Sequence, residues 1–193
     1  RALTGDVLAR IPVEVNPVAA SVSAPDTGLT GSSVMVTWTG RGSDKDFVGI
    51  APASDGFPAT TFYFETVGEG TQPLQMPSAP GDYEIVYVAT TDPWEVMDRV
   101  PITLRDPKLS LKAPERVGAG GEIAVLWSGI DPNPADYIAV AKAGDALPHV
   151  VHYAHTESQM VRLRAPDTPG AYELRYFYAN GDRIVASRPI TVD

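Results

Sequence analysis

The chain reads as all-β, built of two consecutive copies of one small β-sandwich. Three observations predict this: a sequence repeat near 89 residues, a hydrophobic period of two inside each copy, and turn-forming residues spread along the whole length. The repeat is carried by separate blocks. Val34-Met-Val-Thr-Trp38-Thr-Gly40 aligns with Ile123-Ala-Val-Leu-Trp127-Ser-Gly129, and Pro80-Gly-Asp-Tyr-Glu-Ile-Val-Tyr87 with Pro169-Gly-Ala-Tyr-Glu-Leu-Arg-Tyr176, both at an offset of 89. Asp46-Phe-Val-Gly-Ile-Ala51 matches Asp136-Tyr-Ile-Ala-Val-Ala141 at 90, and the closing Pro101-Ile-Thr-Leu104 matches Pro189-Ile-Thr-Val192 at 88. Drifts of one residue mark single insertions or deletions in loops.

The repeat divides the chain into a first sandwich at 21–105 and a second at 106–193, joined near Arg105-Asp-Pro107, a short proline-containing linker of limited freedom. Residues 1–20 lie outside the repeat. They are read as an N-terminal segment or linker from an upstream domain, or as an added edge strand through Val7 to Val15. The start at Arg1 points to a processed protein or an excised piece of a longer one.

Within each copy, apolar residues alternate. Val34, Val36 and Trp38 share one strand face, as do Ile123, Val125 and Trp127; Tyr83, Ile85 and Tyr87 repeat the pattern, as do Tyr172, Leu174 and Tyr176. Runs bounded by Gly, Pro, Asp and Ser place strands near 20–24, 33–39, 46–51, 60–66, 72–76, 82–89 and 99–104 of the first copy. Seven short strands in under 90 residues is the spacing of a sandwich. A Pro-Gly turn followed by an inward Tyr resembles the tyrosine corner of Greek-key sandwiches, which makes Tyr83 and Tyr172 structural, with Trp38 and Trp127 as core plugs.

These motifs together, Trp-[Thr/Ser]-Gly, Asp-[Phe/Tyr]-[Val/Ile]-x-[Ile/Val]-Ala, Pro-Gly-x-Tyr-Glu and Pro-Ile-Thr, resemble the immunoglobulin-like repeats of secreted or periplasmic proteobacterial proteins carried behind von Willebrand factor A-type domains. The middle segment is also similar to SKICH-type sandwiches. The resemblance covers 21–193 and implies two tandem immunoglobulin-like β-sandwich domains in the bacterial envelope, periplasmic or extracellular. It implies no activity, because its motifs are core and turn features. The metal-adhesion residues of the A-type domain do not carry over, since no Asp-x-Ser-x-Ser pattern occurs.

Composition excludes several classes. A net charge of −9 gives no general attraction for nucleic acid or anionic membranes. The sequence contains no apolar run of transmembrane length and no signal-peptide core at its start, so direct membrane insertion is not expected. Cysteine is absent, which removes disulfides, thiolate catalysis and thiolate metal sites. No nucleophile elbow, Walker loop or dinucleotide fingerprint occurs, and no cofactor is implied, so the chain is read as non-catalytic.

The binding candidates come from an asymmetry between the copies. Residues 21–105 hold 4 basic and 11 acidic residues, against 9 and 11 in 106–193. The last hairpin of the acidic copy, Asp92-Pro-Trp-Glu-Val-Met-Asp98, presents Trp94 and Met97 where the second copy has Asn180-Gly-Asp182. A large aromatic at a hairpin tip is a natural interface anchor, with Asp92, Glu95 and Asp98 as a charged rim. The partner is then another protein or an upstream domain of the same chain. The alternative is a glycan stacking on Trp94, Tyr63, Phe64 and Tyr153.

For metals, His149, His152 and His155 cluster in the second copy, but strand alternation turns His152 away from the other two, leaving His149 and His155 as the candidate ligands. The loops Ser43-Asp-Lys-Asp46 and Asp131-Pro-Asn-Pro-Ala-Asp136 offer oxygen donors without EF-hand spacing, a pattern that more often serves turns. The purified chain is therefore expected to carry no stoichiometric transition metal, and a chelator should leave its melting temperature unchanged. Elemental analysis finding about one zinc or copper per chain, lost in His149→Ala and His155→Ala, would overturn this.

Overall fold

A computed structural model describes residues 10–12, 14, 19–43, 45–54, 60, 62–146, 150–178 and 183–193. The first half forms β1 (Ser21–Ser23), β2 (Thr27–Leu29), β3 (Ser33–Thr39), β4 (Phe47–Pro52), β5 (Phe62–Glu65), β6 (Gly70–Gln75), β7 (Gly81–Ala89) and β8 (Glu95–Arg105). The second half repeats them as β9 (Ser110–Lys112), β10 (Arg116–Val117), β11 (Glu122–Ser128), β12 (Tyr137–Lys142), β13 (His152–His155), β14 (Met160–Arg164), β15 (Gly170–Tyr178) and β16 (Arg183–Val192). Among the described residues no helix is long and apolar enough to cross a membrane.

The strands pair into four sheets. A three-stranded sheet β1-β3-β6 faces a five-stranded sheet β2-β8-β7-β4-β5, and β9-β11-β14 faces β10-β16-β15-β12-β13 in the same order. Among the described residues no sheet mixes strands of the two halves. Each unit thus has one strand more than the periodicity predicts. The extra strands, β2 and β10, are three and two residues long and run parallel to β8 and β16. Such short pieces carry no readable alternation, and they form because the chain crosses from the small sheet to the large one. A second difference concerns β8, which begins at Glu95 rather than near 99. A register shift between Tyr87 and Val88 lets Val96 and Glu95 pair with Val88 and Ala89, so most of the expected hairpin loop is strand.

The alternating faces do what the pattern requires. Val34, Val36 and Trp38 turn inward on β3, as Ile123, Val125 and Trp127 do on β11. They meet Ile85 and Tyr87, or Leu174 and Tyr176, from the facing sheet. Trp38 packs on Phe64 at 5.1 Å between ring centroids, and Trp127 edge-on against Tyr176 at 5.2 Å. Both tryptophans lie in the three-stranded sheet, on the strand before β4 or β12. The two tyrosine corners are present: Tyr83 donates to the Ala79 carbonyl at 3.1 Å and Tyr172 to Thr168 at 2.9 Å.

The two units touch through a compact junction. Tyr178, fully buried at the end of β15, donates its hydroxyl to the Thr30 carbonyl at 2.7 Å. Thr30 in turn donates to Asp106, which is paired with Arg183, and the Arg183 guanidinium lies over the Tyr178 ring. Gly31 has φ of 68°, and a Cβ there would sit 2.5 Å from that ring, so glycine is required both for the turn and for the approach of the second unit.

Replacing Trp38 or Trp127 by Ala is expected to cost about 3–5 kcal/mol in chemical denaturation, the usual range for an emptied aromatic core site. Phenylalanine should separate the two positions. Trp127 Nε1 donates to the Ser158 carbonyl at 3.0 Å, whereas Trp38 Nε1 is buried without a partner among the described residues. Trp127→Phe should therefore cost about 1 kcal/mol more than Trp38→Phe. Equal losses would show that the indole hydrogen bond contributes nothing.

Candidate functional site

A concave feature with an aromatic floor lies on the outer face of the first unit's five-stranded sheet, at the β4–β5 edge. Outward residues on neighbouring strands make it: Phe47 opens β4, and Tyr63 stands on β5 opposite Gly49, where a Cβ would come within 3.2 Å of the Tyr63 Cβ and 3.0 Å of Thr60. Phe47 meets Tyr63 at 5.4 Å and 60°, and Trp94 at 5.7 Å and 73°, both edge-on. Phe47 is buried as the floor. Tyr63 and Trp94, at 63% and 56% exposure, are the walls. Lys45, Thr60 and Glu65 add a polar rim to a groove of about 570 Å³.

The hairpin residues separate in this setting. Trp94 joins the groove by packing on its own unit, with Asp92 and Glu95 exposed beside it. Met97 turns toward the core and packs against it. Asp98 accepts the Val22 N–H at 2.8 Å and so ties β8 to β1. Of the expected rim, Asp92 and Glu95 lie exposed beside Trp94, while Asp98, together with the other expected contact residue Met97, supports the fold beneath it. Among the sugar-stacking candidates, Phe64 lies against the core on Trp38 because strand alternation turns it opposite to Tyr63. Phe47 and Lys45 were not singled out by sequence. The signal that could have found Phe47 is an aromatic in the first position of the same strand in both copies, Phe47 and Tyr137.

The second unit holds the equivalent groove. Tyr137 and Tyr153, each 90 residues beyond Phe47 and Tyr63, meet edge-on at 5.8 Å and 68°. Ala139 takes the place of Gly49 opposite Tyr153. His155 stands at the position of Glu65, with Nδ1 3.3 Å from the Asp136 carbonyl. His152 lies on the other face of β13, and His149 falls outside the described residues, as does the Asn180-Gly-Asp182 turn. Among the described residues no three His, Asp or Glu side chains gather as a metal site.

Beneath each groove lies a buried carboxylate, Asp46 immediately before Phe47 and Asp136 immediately before Tyr137. Asp46 accepts both Nε and a terminal nitrogen of Arg41, the Tyr87 hydroxyl at 3.1 Å and the Thr90 N–H at 3.2 Å. These partners make it an internal tie rather than a calcium ligand. Tyr176 donates to Asp136 at 3.0 Å in the second copy, where Ile130 occupies the place of Arg41. In the other acidic loop, Asn133 accepts the Ala135 N–H in a turn, and its carbonyl accepts the Thr156 hydroxyl. Gly40 is obligatory beside Asp46, since a Cβ there would fall 1.9 Å from the Tyr87 oxygen.

Fold and pairing define a protein of two tandem immunoglobulin-like β-sandwiches, each with one aromatic groove on its larger sheet. No family model matches the chain, and no curated protein does. Among solved structures it is similar to the D0-D1 domain of intimin, at 12% identity and a TM-score of 0.29, and to the human OSCAR ligand-binding domain, at 16% and 0.32. Each likeness covers 91% of this chain and 96% of the other. At such scores neither bears on function, and the fold rests on the strand pairing.

Burial by itself raises the Asp46 carboxyl, but the Arg41 guanidinium, the Thr90 N–H and the Tyr87 hydroxyl outweigh it and hold the group below the ordinary carboxylate value. Asp106 is lowered in the same way, chiefly by Arg183. Because the folded pKa values are depressed, both groups stabilise the fold fully above the unfolded carboxylate pKa of about 3.9, and the contribution is lost as pH falls through the folded values. Asp46→Asn should cost about 2–3 kcal/mol at pH 7 and flatten the fall of melting temperature below about pH 4. An unchanged acid profile in the variant would remove Asp46 from this role.

Proposed function

We propose that the chain is a non-catalytic binding module of a larger extracytoplasmic protein, with residues 21–105 and 106–193 as its two sandwiches and 1–20 as a lead-in from an upstream domain. Its partner is another protein, or an upstream domain of the same chain, engaged through the Trp94 groove. The observation that carries this reading is the exposed indole set edge-on against Phe47 in a preformed groove with an acidic border. An anchor already held by its neighbour loses little freedom on binding.

Burial of one such indole in a partner supplies roughly 2 kcal/mol or more at an interface centre. Asp92, Glu95 and Glu65, only partly offset by Lys45, favour a basic partner surface and act mainly on the encounter rate. The resemblance of the core motifs to envelope-protein repeats supports an extracytoplasmic setting, with which the absence of cysteine is compatible. The same acidic character disfavours nucleic acid.

Affinity and salt dependence should separate. Trp94→Ala is expected to raise the partner's dissociation rate at every ionic strength, whereas neutralising Asp92 and Glu95 should slow association mostly at low salt. Asp98 is unsuited to the charge series, because its substitution breaks the tie to Val22 and lowers the melting point. A Trp94→Ala protein with a lower melting temperature and unaltered partner binding would reject the groove as the contact.

A further inference from the structure

The groove of the second sandwich has kept the geometry of the first and lost its charge. It is lined by Ala135, Tyr137, Val150, Tyr153 and His155, in a volume of about 340 Å³. The duplicated edge-on aromatic pair places it as a built feature of the repeat. Among the described residues its lining has no Lys, Arg, Asp or Glu, where the first groove has Lys45 and Glu65. Its floor is also more extensively aromatic. Tyr137 stacks on fully buried Phe177 at 4.8 Å with the planes 9° apart, and the first copy has Val88 at that place.

Above this floor Tyr153 is 58% exposed and meets His155 edge-on at 5.7 Å and 89°. His155 is fixed through Nδ1 on the Asp136 carbonyl, and Nε2 has no hydrogen-bond partner among the described residues. An immobilised aromatic platform bordered by imidazole and phenol groups suits a ligand with an apolar face and uncharged hydroxyls at its edge. The volume lies at the small end of the range for small-ligand clefts, about 300–1,000 Å³. A stacked nucleobase would bring a phosphate for which the lining offers no cation.

We propose that the second sandwich binds a neutral glycan at this groove, with a sugar ring stacked on Tyr153 over the Tyr137–Phe177 floor and its hydroxyls bonded at the His155 edge. The site is independent of the Trp94 contact, so the chain joins a protein-facing groove to a sugar-facing one. The junction at Tyr178 and Gly31 connects the two units that carry them.

Affinity electrophoresis of the full chain through gels containing β-glucan, α-glucan, mannan, xylan or soluble glycol chitin tests this. Retardation by at least one polysaccharide is expected, unchanged by 0.5 M salt to within about twofold because the lining is uncharged. Tyr153→Ala should weaken it about tenfold or more, Tyr153→Phe less, and Trp94→Ala not at all. Each variant's thermal melt controls for folding, and Tyr153 is exposed enough to be replaced without emptying a core. No retardation by any of the five overturns the proposal, as does binding that survives Tyr153→Ala, or binding to an uncharged proline-rich peptide in place of sugar. Loss of sugar binding in Trp94→Ala with Tyr153→Ala unaffected would move the sugar to the first groove and overturn both this site and the protein-facing reading. A negative sugar result leaves the partner kinetics of Trp94→Ala to be judged alone.

Discussion

In both sandwiches the strand that floors the aromatic groove starts from a carboxylate buried beneath it. Asp46 and Asp136 precede Phe47 and Tyr137, and each accepts a hydroxyl from the core tyrosine of the neighbouring strand in the same sheet, Tyr87 or Tyr176. A buried carboxylate is tolerated only with such partners. The requirement fixes where the preceding loop ends and where β4 or β12 begins, and so sets which face the next residue takes. Backbone bonds complete the tie, with the Thr66 N–H on the Asp46 carbonyl and the Thr156 N–H on that of Asp136. The outward aromatic and the groove follow from a polar contact on the inward side.

The two copies have used that shared frame differently. The first retains an arginine on its buried acid and charges around its groove, and it adds Trp94 from the β7–β8 turn. The second places isoleucine beneath, histidine at the rim and a second aromatic in the floor. At the end of the same hairpin it has Tyr178 and Arg183, which it uses to dock on the first copy. Equivalent positions at the hairpin end thus serve a groove in one unit and an internal joint in the other. The difference follows from neighbours, since the β2–β3 turn with Gly31 lies against Tyr178 at the end of the second unit's hairpin.

The hairpin 92–98 shows where local reading stops. As a string it holds three acids and two large apolar residues at a turn, all equally available to a partner. Pairing of β8 from Glu95 onward gives them separate duties: Met97 enters the core border, Asp98 caps the Val22 amide, and Trp94 leans on Phe47. A register shift of this kind depends on the partner strand and leaves no periodic trace. Tyr63 and Phe64 were separable in principle, because adjacent strand residues point to opposite faces, but choosing the outer one needs the identity of the facing sheet.

By itself the sequence determined the all-β class, the duplication, the inward Trp and Tyr positions and the tyrosine corners, because each is written in a period of two or in a turn dipeptide that acts within a few residues. It also determined the acidity of the first copy. Only the tertiary structure decided the short crossing strands β2 and β10, the Asp46 and Asp136 ties, the joint of Tyr178 on Thr30, and the meeting of Phe47 with Tyr63 and Trp94. Apart from the Arg41–Asp46 pair, those features bring together residues 16 to 148 positions apart, and their energy lies in desolvation and side-chain contact between elements, which no local pattern encodes.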